Sequence, residues 1–247
     1  MKRSQHIDNL NQSTNWIDYL KENSGLSGKR ANLELLKVVT DLGGEEFFMC
    51  CIKYNENIAP TNTQGEFVAM CGVAGLGKLV NAGKLDNFQL LKEFASDSRW
   101  RVREGVAFGL QIIGEKDFGI LILGIKEWIK GNDYEKRAVV AGLCEPKLLK
   151  DRNNSKIVLE IVNEIIESVK LISDRKSESF RSLRKCLGYG LSVAIVRNPE
   201  IGKNIFEKLG DIADKDIAWI LNENLKKNRL EKMDKNWTDK MRNSCQY

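Results

Sequence analysis

One pattern constrains this chain more than any other: a twelve-residue segment that returns along it at a nearly fixed interval. Val102-Arg-Glu-Gly-Val-Ala-Phe-Gly-Leu-Gln-Ile-Ile113 has a counterpart in Leu183-Arg-Lys-Cys-Leu-Gly-Tyr-Gly-Leu-Ser-Val-Ala194. Apolar residues coincide at the first, fifth, ninth and twelfth places. Arg103 matches Arg184, Phe108 matches Tyr189 and Gly109 matches Gly190. Upstream, the segment from Val68 shares Val68, Gly75, Leu76 and Leu79 in the same places. A degenerate copy sets Arg137 under Arg103 and Val140 under Val106 before Pro146 interrupts it, and another sets Ile217, Leu221 and Leu225 in phase. The copies start at 68, 102, 136, 183 and 217, with spacings of 34, 34, 47 and 34.

The shared apolar places follow i, i+4, i+8 and i+11, the signature of an amphipathic helix. Between the copies, residues 87–96, 117–130, 156–172 and 201–212 also carry apolar residues at helical spacing and supply a partner helix each. Helical pairs recurring at such a period make a solenoid, because one pair cannot bury its apolar faces alone. The expectation is an all-α chain, with a polar tail over 1–13, a single solenoid domain over 14–230 and a second polar tail over 231–247. Within that domain, 32–42 and 45–54 form an atypical first pair, and Trp237 is free to fold back from the C-terminal tail.

Asp97-Ser-Arg-Trp-Arg-Val-Arg-Glu-Gly-Val-Ala-Phe-Gly-Leu-Gln-Ile-Ile-Gly114 resembles the second half of a HEAT repeat, the armadillo-like class of helical pairs. That family's pattern is an Asp, then Val-Arg, then Ala-x-x-Ala-Leu and a closing Gly. The likeness extends over roughly residues 60 to 230. It implies a right-handed α-α superhelix whose second helices line a concave face. Trp100 and Glu104, one turn apart, with Arg137 a repeat later and Trp219-Ile-Leu-Asn-Glu223 beyond, also resemble the HEAT-like DNA alkylation-repair glycosylases. That resemblance implies aromatic faces for a cationic alkylated base and a carboxylate for the developing sugar cation. The chain has Glu104 where that family has Asp, Phe180 or Tyr189 where it has a Trp, and Trp219 two repeats late.

Composition excludes much of the rest. The one histidine, His6, lies in a polar segment, away from any cysteine, so no His-based metal site or Ser-His or Cys-His hydrolase is expected. No cofactor is implied. Gly72-Val-Ala-Gly-Leu-Gly77-Lys78-Leu79 approaches a phosphate-loop pattern, but Leu79 lacks the hydroxyl that holds magnesium and the segment is in phase with a solenoid helix. Helix packing is its expected role. Cys50, Cys51, Cys71, Cys144, Cys186 and Cys245 form no C-x-x-C pair, which reads as reduced thiols in a cytoplasmic protein. The longest apolar run, 67–77, is short of the ~20 residues a membrane span needs.

Net charge is only +5, yet cations gather at the inner helices: Arg99, Arg101 and Arg103; Lys136 and Arg137; Arg181, Arg184 and Lys185; Lys226, Lys227 and Arg229. Two roles are open for the arginines in this set. They could pair with an Asp of the adjacent repeat, Asp97 or Asp214, in an internal ladder, or they could line a groove that takes a protein partner or a nucleic acid. The residues expected to meet a partner are Arg99, Arg103, Arg137, Arg181, Arg184 and Trp219. A non-catalytic binding scaffold is the expected function, and a DNA glycosylase using Glu104, Trp100, Arg137 and Trp219 is the alternative.

Overall fold

The computed structural model describes residues 2–244, so Cys245 lies outside the described residues. Among the described residues there are fifteen α-helices and no strand, and no helix is long and apolar enough to cross a membrane. The chain falls into two compact units, Met1–Leu121 and Ile122–Tyr247.

The first unit holds α1 (Arg3–Gln12), α2 (Trp16–Asn23), α3 (Leu33–Leu42), α4 (Glu45–Cys51), α5 (Gln64–Asn81), α6 (Asn87–Ala95) and α7 (Trp100–Lys116). Its centre is α5, which packs against α2, α3, α4, α6 and α7. A helix wrapped on all sides cannot afford a polar face. Accordingly α5 is buried from Gly65 to Val80 apart from Lys78, and the amphipathic stripe expected there is an all-round apolar surface. Lys78, the lysine of the phosphate-loop lookalike, donates from Nζ to Asp41 O (2.6 Å) and Gly43 O (2.8 Å). It closes the C-terminal carbonyls of α3, which otherwise lack partners.

Helix α8 (Phe118–Ile125) contains the division between the units, and a 3-10 turn over Lys126–Lys130 follows it. The second unit continues with α9 (Asp133–Leu143), α10 (Arg152–Ser168), α11 (Glu178–Ile195), α12 (Pro199–Gly210), α13 (Lys215–Leu225), α14 (Asn228–Met233) and α15 (Lys235–Ser244). Here α11 lies between α9 and α13 in one row, while α10 and α12 pack on each other and on α11 behind it. The starts are fixed by side chains that accept from exposed first-turn N–H groups: Asn132 for α9, Asp151 for α10, Ser177 for α11 and Asp214 for α13. Pro146 follows the end of α9, and the longer 47-residue spacing is taken up by a 3-10 turn at Leu148–Lys150 and the loop after α10.

The first places of four copies, Val68, Val102, Leu183 and Ile217, are all fully buried, as stacked helices require. The two ends differ from expectation. Residues 3–12 form α1, held by His6 Nδ1 against Tyr19 Oη (2.8 Å), by buried Leu10 and by an Arg3–Asp41 ion pair. Residues 235–244 form α15, where Trp237, Thr238 and Met241 make a buried stripe at helical spacing. Trp237 does fold back, donating from Nε1 to Glu207 (2.8 Å) with its ring edge-on to Phe206. In both segments a few apolar residues at the right spacing outweigh a polar composition.

Helices α5 and α7 touch backbone to backbone. A Cβ on Gly77 would stand 2.2 Å from Gly109 O and 2.7 Å from its Cα, and neither helix can yield locally. Propensity alone would make Gly77→Ala stabilising by about 1 kcal/mol, whereas overpacking costs about 1–3 kcal/mol. Since the obstruction is backbone, we expect Gly77→Ala to lose about 1–2 kcal/mol in urea denaturation; a gain would show that the helices are not in contact there.

Candidate binding face

Five arginines and two tryptophans carry the partner-binding and glycosylase expectations, and burial sorts the arginines into two groups. Arg99, Arg103 and Arg137 are 1%, 3% and 8% exposed. Arg99 grips Asp97 through Nε (2.9 Å) and Nη2 (2.8 Å) and donates from Nη1 to Tyr54 O (2.6 Å) and Ala59 O (3.0 Å). It fastens the 54–59 loop to the start of α7, and removing such a buried cation costs about 3–5 kcal/mol. Arg103 donates from Nη1 to Asp97 O (2.6 Å) and Ser98 O (2.8 Å), closing carbonyls at the start of its own repeat. Arg137 sits at the seam of α9 and α11, where Cys186 Sγ–H donates to its carbonyl at 3.7 Å. All three side chains are buried, and those of Arg99 and Arg103 are engaged by acceptors inside the fold.

Trp100 is 44% exposed, but the Arg101 guanidinium lies 4.3 Å from its ring centroid and also meets Glu104 at 3.0 Å. From the first turn of α5, a wholly buried carboxylate, Glu66, takes the Arg101 N–H (2.9 Å) and the Asn62 N–H (2.6 Å). Glu66 therefore anchors the first turn of α7. The Trp100 ring and the Glu104 carboxylate are both engaged by the chain's own arginine.

The second group comes together on α11 and α13. Gly188 makes it possible: a Cβ there would meet Glu223 Cβ at 3.0 Å and Trp219 Cζ3 at 3.2 Å, so the bare glycine lets the Trp219 ring lie across α11. Asn224, fully buried, joins the two helices by accepting from Ser192 N–H (2.8 Å) and donating to Leu187 O (2.9 Å) and Ile220 O (2.8 Å). Arg184 then stacks on Trp219, 4.4 Å from its ring centroid, and forms an ion pair with Asp216. Asp216 is shared, because Arg175 reaches it at 3.0 Å while also holding Asp214 at 2.7 Å. The Asp ladder expected of the arginines exists here for Arg184, with Asp216 as its partner, and Asp214 serves Arg175 instead.

Along the open side of α11 run Glu178, Arg181, Lys185 and Tyr189, all exposed. Neither Arg181 nor Lys185 has an ion pair among the described residues. At the far end Tyr189 is 52% exposed, with Arg229 at 4.3 Å and Lys227 at 5.7 Å from its ring centroid. Beside α13, a cleft of about 560 Å3 is lined by Arg175, Lys176, Arg184, Lys215, Asp216 and Trp219. The repeat did not reveal Arg175: it lies in the loop before α11, outside the copied segment. Tyr189 was visible as the counterpart of Phe108, though only its exposure gives it a surface role.

The shared carboxylates have a pH signature. Burial acts to raise the Asp214 carboxyl, but hydrogen bonds from Arg175 and from the N–H groups of Ile217 and Asp216 outweigh it and hold its pKa below the usual value. A carboxyl depressed by folding stabilises above its unfolded pKa, about 3.9, and loses that contribution as pH falls through the lower folded value. Asparagine caps a helix about as well as aspartate, so Asp214→Asn isolates the charge. We expect this variant to unfold earlier than the parent near neutral pH, with the difference shrinking as pH drops below about 4. Denaturation midpoints measured across that range check this, and a constant difference would refute it.

No protein-family model matches the sequence, and no curated protein matches it significantly. Solved structures similar to it include an engineered protein from a structural genomics programme, at 15% identity over 94% of this chain and 98% of that one, with a TM-score of 0.38. A designed armadillo repeat protein in complex with the peptide (KR)4 is 13% identical over 91% of this chain and 98% of its own, with a TM-score of 0.40. A second designed armadillo repeat protein is 14% identical over 90% and 98%, with a TM-score of 0.31. Assignment of an all-α array of stacked helical pairs rests on the chain's own helices and their buried repeat positions.

Proposed function

We propose that this chain is a non-catalytic scaffold that takes a protein partner on the α11–α13 face of its second unit. The observation that carries this reading is the contrast among its arginines. Most are consumed by internal bonds, whereas Arg181 and Lys185 stand exposed on one stripe without an ion pair among the described residues. Next to them Arg184 is held in place by Asp216 on one side and Trp219 on the other. A guanidinium already oriented loses less freedom on binding than a mobile one, which favours recognition. Glycosylase chemistry has less support, since Glu104 is paired with Arg101 and Arg137 is buried. A carboxylate neutralised by its own chain is poorly placed to stabilise a sugar cation.

The test is capture by the tagged full-length chain, comparing the parent with an Arg181→Glu/Lys185→Glu double variant and with Arg152→Glu on α10, which pairs with exposed Glu200. Reversing two exposed cations should weaken retention of a specific partner by about tenfold or more, and Arg152→Glu should leave it unchanged. Equal capture by all three proteins would remove the face from consideration. In parallel, methylated duplex DNA should release no base with either the parent or Glu104→Gln; release by the parent that Glu104→Gln abolishes would make the protein an enzyme.

A further inference from the structure

Resting on the binding face just described, we propose that the partner segment it fits is an extended polypeptide with carboxylates at alternate residues. The reason is spacing. Arg181, Lys185 and Tyr189 follow one another at four-residue steps along α11, and each step advances about 6 Å along the axis. The third station is cationic as well, because Arg229 and Lys227 converge on the Tyr189 ring. In an extended chain, side chains on one face recur every second residue, about 6.6–6.8 Å apart. Three carboxylates at alternate positions therefore meet three cationic stations nearly in register, with main-chain atoms of the segment lying over the helix.

A nucleic acid would have a similar phosphate spacing, and the face itself argues against it. The Trp219 ring, on which a base would stack, carries Arg184 on one side and lies against α11 at Gly188 on another, and Tyr189 already carries Arg229. Base stacking needs an open ring face. A carboxylate also stands beside the cations: Asp174, exposed, lines the adjoining cleft next to Arg175 and Lys176. A uniform polyanion would be repelled there, whereas a polypeptide can place a neutral residue at that point.

The experiment is fluorescence anisotropy with the full-length chain and labelled peptides of identical length and charge. One repeats Glu-Ser; the other repeats Glu-Glu-Ser-Ser and has no two glutamates at alternate positions. An oligothymidylate of matching length is the third probe. We expect the Glu-Ser peptide to bind about tenfold more tightly than the Glu-Glu-Ser-Ser peptide, and the Arg181→Glu/Lys185→Glu variant to lose about tenfold or more for it. Equal affinity for the two peptides overturns the spacing argument. Tighter binding of oligothymidylate than of either peptide overturns the choice of a polypeptide. If neither peptide binds while the captured partner is still lost in the double variant, this inference fails and the binding-face reading stands. If the Glu-Ser preference holds but capture is unaffected by the variant, the reading of the face as the partner's main contact fails instead.

Discussion

Each helix in these units buries an apolar face only because another helix lies against it, and no pair could do so alone. That dependence determines where small residues must stand. Gly77 lets α5 and α7 approach until their backbones touch, and Gly188 lets Trp219 lie across α11. In the first case the gain is close packing of a helix that has no solvent face. In the second it is a surface feature, an aromatic ring fixed flat enough to carry an arginine. One physical requirement, close helix approach, thus yields the core of one unit and the Arg184–Trp219 stack on the surface of the other.

The same arginine place in successive copies has three different fates. Arg103 closes carbonyls at the start of its own helix, Arg137 is buried at the α9–α11 seam, and Arg184 reaches forward to Asp216 on the next helix of its row. What lies near each arginine then decides which acceptors its guanidinium finds. Both oxygens of Asp97 accept from Arg99, while Arg103 takes the carbonyls of Asp97 and Ser98. Asp216 is available to Arg184 because Asp214, two residues earlier, takes the capping role and much of Arg175.

Helix content, the pairing and the buried first places of the copies were legible in the sequence because they depend on apolar spacing, which stacking enforces. The phosphate-loop lookalike could be set aside on the same ground, and Lys78 closes α3 instead. Less was legible at the ends. Residues 3–12 and 235–244 read as polar, yet His6 and Leu10, or Trp237, Thr238 and Met241, suffice to dock each as a helix. Of the residues expected to meet a partner, Arg181 is exposed on α11 and Arg184 stacks on Trp219, whereas Arg99, Arg103 and Arg137 are buried, which the sequence did not indicate. Charge does not announce burial, and a cation leaves the surface only when the fold supplies several acceptors at once, as the 54–59 loop and Asp97 do for Arg99.

This division between internal and external cations also bears on how a chain of modest net charge could present the face proposed above. A net charge of +5 spread evenly would attract any anion weakly. Here Asp214 and Asp216 neutralise Arg175 and Arg184 locally, so the Arg184–Trp219 stack contributes shape and orientation more than charge. Charge without an ion pair among the described residues is left to Arg181 and Lys185 on α11 and to Lys227 and Arg229 beyond it. Exposed pairs of the kind these could form, each worth about 0.2–1 kcal/mol, need several in register to bind at all. On the proposed reading of this face, selectivity for the arrangement of acidic residues, rather than for their number, would follow.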